Sequence, residues 1–234
     1  MISQTRLMDK KPILGVTYGK PQYNKVVGKT QRIETHRGCL WQHQYCYEPK
    51  EMTDFPIPQI VRNQVQVLDM NFLFRKNVLE TITDLGNKRV NGKVVYYEAV
   101  CGFDFRLLTQ QIADALKKAR FVKPRLAWDG HFSDQMKMKD AISTLLKAGY
   151  KANDIMLFMI VNWRIPKQEC ERKLDLMKVW NVKVCDCCYD GGYAHCVPDY
   201  WTGIELQEFR SKCRKHNQLV NFGIDPEEKS CGEA

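Results

Sequence analysis

No run of this chain approaches the length of apolar residues that a membrane span requires. The first residues, Met1-Ile2-Ser3-Gln4-Thr5-Arg6, carry no apolar segment of the kind that opens a secretory signal. A Gly-rich phosphate loop, a Ser-His-Asp order and a His-Glu-x-x-His run are all missing, which argues against P-loop nucleotide hydrolysis, triad hydrolysis and zincin proteolysis. There is no internal repeat, low-complexity tract or clear linker. The absences leave a soluble cytoplasmic protein as the expectation, and 234 residues with 44% hydrophobic content are enough for one good core.

What the chain does have is cysteine and positive charge. Ten cysteines without an export signal are expected in a reducing compartment, where metal binding or burial is commoner than a disulfide framework. The formal charge of +9 suits anionic partners such as phosphates, nucleic acid or an acidic protein, although a basic excess is often only solvated surface. Two basic runs, Lys117-Lys118-Ala119-Arg120 and Arg210-Ser211-Lys212-Cys213-Arg214-Lys215-His216, fall on predicted helices and read first as solvated faces, with phosphate contact as the alternative.

Residues 1–30 hold Gly15, Gly19, Gly28, Pro12 and Pro21 without a sustained period and read as an irregular extension with a short strand at Ile13–Tyr18. One domain is expected over residues 31–234. Strands are predicted at Arg32–His36, Val65–Asp69, Val94–Val100, Arg125–Asp129, Asp154–Val161 and Val182–Cys187, the fifth apolar enough to be buried on both faces. Helices are predicted at Leu73–Leu85 (stopped by Gly86), from Thr109 to about Ala119, from Ser133 to Gly149, from Pro166 to Trp180, and over Thr202–His216. Strands alternating with helices imply right-handed crossovers and a parallel sheet.

In such α/β folds the carboxyl ends of the strands carry the chemistry. The strand ends here deliver, in order, the loop with Cys39, His43 and Cys46; Asp69 and Asn71; Cys101, Asp104 and Arg106; Trp128-Asp129-Gly130-His131; Asn162-Trp163; and Cys185, Cys187, Cys188 and Tyr189. Some of these, Asp129 and Asn71 among them, have helix capping as the ordinary explanation. The loop Arg37-Gly38-Cys39-Leu40-Trp41-Gln42-His43-Gln44-Tyr45-Cys46-Tyr47-Glu48-Pro49 has Cys-x3-His-x2-Cys spacing, short enough to fold three ligands back around one metal centre.

That loop resembles the cluster loop of the radical S-adenosylmethionine (radical SAM) superfamily, whose pattern is Cys-x3-Cys-x2-Cys with an aromatic near the last cysteine. Cys39 and Cys46 match the first and third cysteines, Tyr47 and its neighbours match the surroundings, and His43 stands in the middle position. Asp69-Met70-Asn71, Cys-Gly-Phe-Asp-Phe-Arg over 101–106 and Ala-Trp-Asp over 127–129 are similar to less specific motifs of uncharacterised bacterial and phage members. The resemblance implies a partial (βα)6 barrel with parallel strands, open on one side. It also implies an enzyme in which a 4Fe–4S cluster binds S-adenosylmethionine and cleaves it reductively to start radical chemistry.

By position, Cys39, His43 and Cys46 would then hold the metal, and Tyr45 and Tyr47 would lie near the cluster and adenine. Asp69 and Asn71 would meet the methionine end of the cofactor. Asp104, Asp129 and Asn162 are assigned to the cofactor or substrate by location only. A flavodoxin-like or ferredoxin-like electron donor and a large or protein-borne substrate complete the expectation. The other class of function is a catalytically inactive metal-binding or nucleic-acid-binding protein on the same scaffold.

Cys185-Asp186-Cys187-Cys188, followed by His195-Cys196, forms a second group. Alternation sends Cys185 and Cys187 to one face of a strand. A zinc or auxiliary cluster site is one reading; cysteines used as small buried hydrophobes are the other, and the spacing fits no standard zinc pattern.

Overall fold

A computed structural model describes residues 21–41, 43, 46, 48–162, 164–188 and 201–223. The strand expected at Ile13–Tyr18 lies outside them, as do Tyr45, Tyr47, Trp163, Tyr189, His195, Cys196 and the Cys188 side chain. The fold is mixed α/β with parallel strand pairs, and it divides into two compact units, Met1–Arg125 and Leu126–Ala234.

The first unit is built on a four-stranded sheet ordered β1 (Asn24–Val27), β2 (Thr30–Ile33), β5 (Gln64–Val67) and β8 (Tyr96–Ala99). β2, β5 and β8 pair in parallel, with Ile33 opposite Val67 and Val67 opposite Ala99, while β1 returns antiparallel on β2. Period-two alternation makes these strands: Val65 and Val67 are buried while Gln64 is exposed. β1 falls inside the stretch expected to be irregular, because four exposed residues give no burial period to read. Two short ribbons complete the unit, β3 (His36–Arg37) with β4 (Thr53–Asp54) and β6 (Arg89–Val90) with β7 (Lys93–Val94). The single long strand expected at Val94–Val100 is thus split between β7 and β8.

Two helices belong to this unit, α1 (Val78–Asn87) and α2 (Gln110–Lys118). Thr109 caps α2, its hydroxyl accepting from the Ile112 amide at 3.3 Å. Gly86 was expected to stop α1, yet the helix runs through it. A Cβ at Gly86 would lie 3.1 Å from the Ala119 Cβ, so the glycine lets α1 pass close to the end of α2. Phe72, Phe103, Phe121 and Tyr97 form an aromatic core with ring centroids 5.2–6.3 Å apart, and the Tyr97 hydroxyl donates to Leu85 O at 2.7 Å.

The second unit carries a three-stranded sheet ordered β11 (Lys183–Cys188), β10 (Met156–Val161) and β9 (Arg125–Ala127). β10 and β11 are parallel, with Phe158 opposite Cys185 and Ile160 opposite Cys187. Leu157, Met159, Ile160 and Val161 are all buried, as the apolar run predicts. Its helices are α3 (Gln135–Lys147), α4 (Lys167–Val179) and α5 (Gly203–Phe222). Ser133 does not cap α3: Phe132–Asp134 form a 3-10 turn whose Phe132 amide donates to the Glu169 carboxylate. Thr202 and Glu205 close a capping box on α5. The Asn217 side chain accepts from the Val184 amide at 2.9 Å and donates to Val184 O at 2.7 Å, fastening α5 to β11.

Strands therefore stand at all six expected places, three in each unit, although the one expected at Arg32–His36 is split between β2 and β3; the described strands form separate sheets with no closed barrel among them. None of the described helices is long and apolar enough to cross a membrane. The basic run on α5 is not a uniform cationic face. Arg210 pairs with Asp186 and Lys212 with Glu171, each at 2.8 Å, while Cys213 and His216 are buried.

Candidate site at the strand ends of the first unit

The loop after β2 and β3 is closed at its base by backbone geometry. Cys39 N–H donates to Pro49 O at 2.9 Å, and Gly38 N–H donates to the Glu48 carboxylate at 2.6 Å. Gly38 has φ +105°, a left-handed conformation in which a Cβ would stand 2.3 Å from Glu51 O. Within the loop, Cys46 N–H donates to His43 O at 2.9 Å, and Glu48 N–H donates to Cys46 Sγ at 3.4 Å. Hydrogen bonds of this kind to a ligating sulfur are one of the ways a protein tunes a cluster. Burial and the nearby Arg106 guanidinium hold the His43 pKa below its usual value, so its ring is neutral at pH 7, the form in which imidazole ligates metals. Burial also raises Glu48, to about 7.

A clamp grips the same loop from the end of β8. Trp41 Nε1–H donates to Asp104 Oδ2 at 2.5 Å, and the Arg106 guanidinium lies over the Trp41 ring at 3.9 Å. Asp104 accepts three hydrogen bonds from Arg106, two from the guanidinium at 2.7 and 2.8 Å and one from the backbone amide at 3.0 Å. Asp104, assigned by location to cofactor or substrate, holds the loop's tryptophan and lies near enough for its charge to act on His43. The sequence signalled Asp104 and Arg106 as strand-end residues, but nothing in their spacing pointed to Trp41 as their partner.

Asp69 and Asn71 follow β5 and behave differently. Asp69 is buried, with both oxygens accepting from Thr35: the amide at 2.6 Å and the hydroxyl at 2.6 Å. It ties the end of β5 to the chain leaving β2. Asn71 is 5% exposed, and its Oδ1 is buried without a hydrogen-bond partner, the condition of an acceptor waiting for a donor. Cys101, half-buried after β8, donates to Leu68 O at 3.4 Å. Burial raises its pKa to about 12, and the Asp69, Glu48 and Cys46 charges act in the same direction, which places the thiol in their neighbourhood.

The first unit therefore brings Cys39, His43, Cys46, Asp104 and Arg106 into one loop-and-clamp assembly, with Asp69 and Asn71 on the adjacent strand end. The donor set is soft and suits an iron–sulfur cluster in type. Among the described residues no three His, Cys, Asp or Glu side chains are arranged to hold a metal ion. Asp129 and Asn162 lie in the second unit. Asp129 follows β9, between Trp128 and Gly130, and Asn162 ends β10 with φ +64°.

Burial of Asp69 yields a first prediction. Desolvation raises its pKa from 3.8 to about 6, against the pull of the Thr35 donors. The folded chain then binds the proton more tightly than the unfolded one, so this group's stabilisation is greatest below pH 3.8 and declines as pH rises to about 6. Denaturant melts between these limits should show that decline in the wild type and a shallower one in Asp69→Asn. Parallel profiles would show that Asp69 does not titrate across this window.

The chain matches no protein-family model and no curated protein sequence.

Proposed function

We propose that the chain is a radical SAM-like enzyme whose Cys39-x3-His43-x2-Cys46 loop holds a 4Fe–4S cluster. The observation that carries this reading is the loop itself. It is pinned at Gly38, Glu48 and Pro49, with its tryptophan clamped by Asp104 and Arg106, beside an orphaned buried acceptor at Asn71. Cys39, Cys46 and His43 would be the ligands, drawn together around the cluster as it binds, since no three such side chains converge on one point in the described residues. When bound, such a cluster supplies the electron that cleaves the sulfonium of S-adenosylmethionine for radical chemistry on a substrate.

The Asn71 carboxamide oxygen, buried without a partner, suits an ammonium donor and would receive the amino group of the cofactor's methionine end. Asp69 acts through position, fixing the end of β5. Asp104 and Arg106 orient the loop, and Trp41 offers an aromatic face at its rim. The partial (βα)6 barrel belongs to this proposal as its fold. It is supported by six expected strands, five of them followed by a helix in the described chain. An electron donor of the flavodoxin or ferredoxin kind is the partner it requires.

Imidazole raises a cluster's reduction potential relative to thiolate. Anaerobic reconstitution with iron and sulfide should give a brown protein, with dithionite-driven release of 5′-deoxyadenosine from S-adenosylmethionine. His43→Cys should release it faster, the equilibrium constant for reducing the sulfonium rising about tenfold for each ~59 mV by which the potential falls in a one-electron step, and Cys39→Ser should carry no cluster. Failure of both wild type and His43→Cys to bind iron would sink the proposal. Salt-dependent nucleic-acid binding by that colourless protein would favour the non-catalytic class instead.

A further inference from the structure

We infer that Cys185 and Cys187 form a two-thiolate binding site for a thiophilic d10 metal ion of the zinc, cadmium or cuprous class, independent of the Cys39–Cys46 loop. The two residues are two apart on β11, so both side chains leave the same face of the strand. Their sulfurs stand 4.0 Å apart, and both residues are half-buried. At a metal–sulfur bond of about 2.3 Å and a tetrahedral angle, two thiolates on one ion lie about 3.8 Å apart. The pair is thus set at nearly the separation a metal demands.

The alternative use of two adjacent thiols is a disulfide, and the strand geometry opposes it. Residues two apart on a strand are separated by about 6.6 Å at Cα, at the far end of the disulfide range and beyond its usual ~5.5–6 Å. Closing that bond would bend β11 out of register with β10, where Phe158 faces Cys185 and Ile160 faces Cys187. Coordination leaves the backbone where it is.

Other thiols of this unit behave differently. Cys170 and Cys213 are fully buried, as small apolar side chains are. Among the described thiols of this unit, Cys185 and Cys187 are the pair that combines partial exposure with proximity. The Cys187 thiol donates to Cys185 Sγ, and that hydrogen bond, followed by burial, holds its pKa far above the usual thiol range. A divalent ion replaces the two thiol protons: two S–H bonds break, two metal–sulfur bonds form, and two protons are released to solvent without a change of oxidation state. Water completes the shell.

The test is differential alkylation of the full wild-type chain with iodoacetamide, with and without cadmium ion, mapped residue by residue. Cys185 and Cys187 should be protected together, each by about tenfold or more, with one shared cadmium midpoint. Cys185→Ser should weaken cadmium protection of Cys187 at least about tenfold, since losing a ligand costs no less than losing its supporting hydrogen bond. The residue-resolved map separates this outcome from events at Cys39 and Cys46. Should the serine variant fold poorly by circular dichroism, the wild-type map alone decides. Protection of neither thiol, protection of only one, or recovery of a Cys185–Cys187 disulfide from metal-free protein would overturn the assignment.

Discussion

A Gly38→Ala chain is expected to melt about 10 °C lower than the wild type and, on the proposed function, to fail to load iron at the Cys39–Cys46 loop. Alanine would have to adopt φ +105°, and its Cβ would overlap Glu51 O at 2.3 Å and Met52 Cα at 2.7 Å. These are backbone atoms, so no side chain can swing aside. Left-handed strain costs about 1–3 kcal/mol and overpacking a similar amount. For a chain of this size each kcal/mol moves the midpoint by about 2–4 °C.

Relief of the clash would pull Gly38 N–H from the Glu48 carboxylate and unseat the Cys39 amide from Pro49 O. Those two bonds fix the distance between the arms that carry the cysteines. Scanning calorimetry and iron content after reconstitution check the two halves of the prediction. A variant melting within about 2 °C of the wild type, with full iron, would show that the loop base tolerates a side chain.

Lys173→Ala should cost the second unit about 3–5 kcal/mol. Lys173 is 0% exposed, lies 5.2 Å over the Trp128 ring, and directs Nζ to Trp128 O at 3.4 Å and to Gly130 O. Truncation opens a cavity beside the Trp128–Trp180 stack and leaves two carbonyls without their donor. Lys173→Met keeps the packing and loses only the donor, so its cost should be about 1–3 kcal/mol.

Burial lowers the Lys173 pKa from 10.5, which fixes the sign of a pH effect. The folded state holds the proton less tightly than the unfolded state. The resulting penalty is complete below the folded pKa and fades as pH rises toward 10.5. Wild type should gain stability on the alkaline side by this route, and Lys173→Met should not. Urea melts of the three proteins at neutral and alkaline pH give both numbers. A Lys173→Ala loss under about 1 kcal/mol would mean that the 128–131 turn is held by other contacts.

Elements whose signals are local were legible in the sequence. Thr109 and Thr202 cap the helices they were expected to cap, because a hydroxyl one residue ahead of a helix acts on its own first turn. Most of the apolar run of β10 is buried as expected, with Met156 and Phe158 half-buried. Features that depend on a distant partner were not legible. Gly86 reads as a stop until Ala119 is known to lie against it, and Ser133 reads as a cap until Glu169 takes the Phe132 amide.

The candidate site divides the same way. Cys39, His43 and Cys46 announce themselves by spacing, and Asp104 by its strand end. That Asp69 would spend both oxygens on Thr35, or that Cys101 would sit in the field of Cys46, requires the register of β2, β5 and β8.

The Asn217 side chain offers Val184 one acceptor and one donor, as the peptide group of a neighbouring strand would. Among the described strands β11 stands at the margin of its sheet, and a strand there normally invites another chain to add on. At Val184 that place is already filled by the chain's own helix, so recruitment of a foreign strand would first have to prise α5 away. Asn217→Ala, by this reasoning, would free a template for self-association.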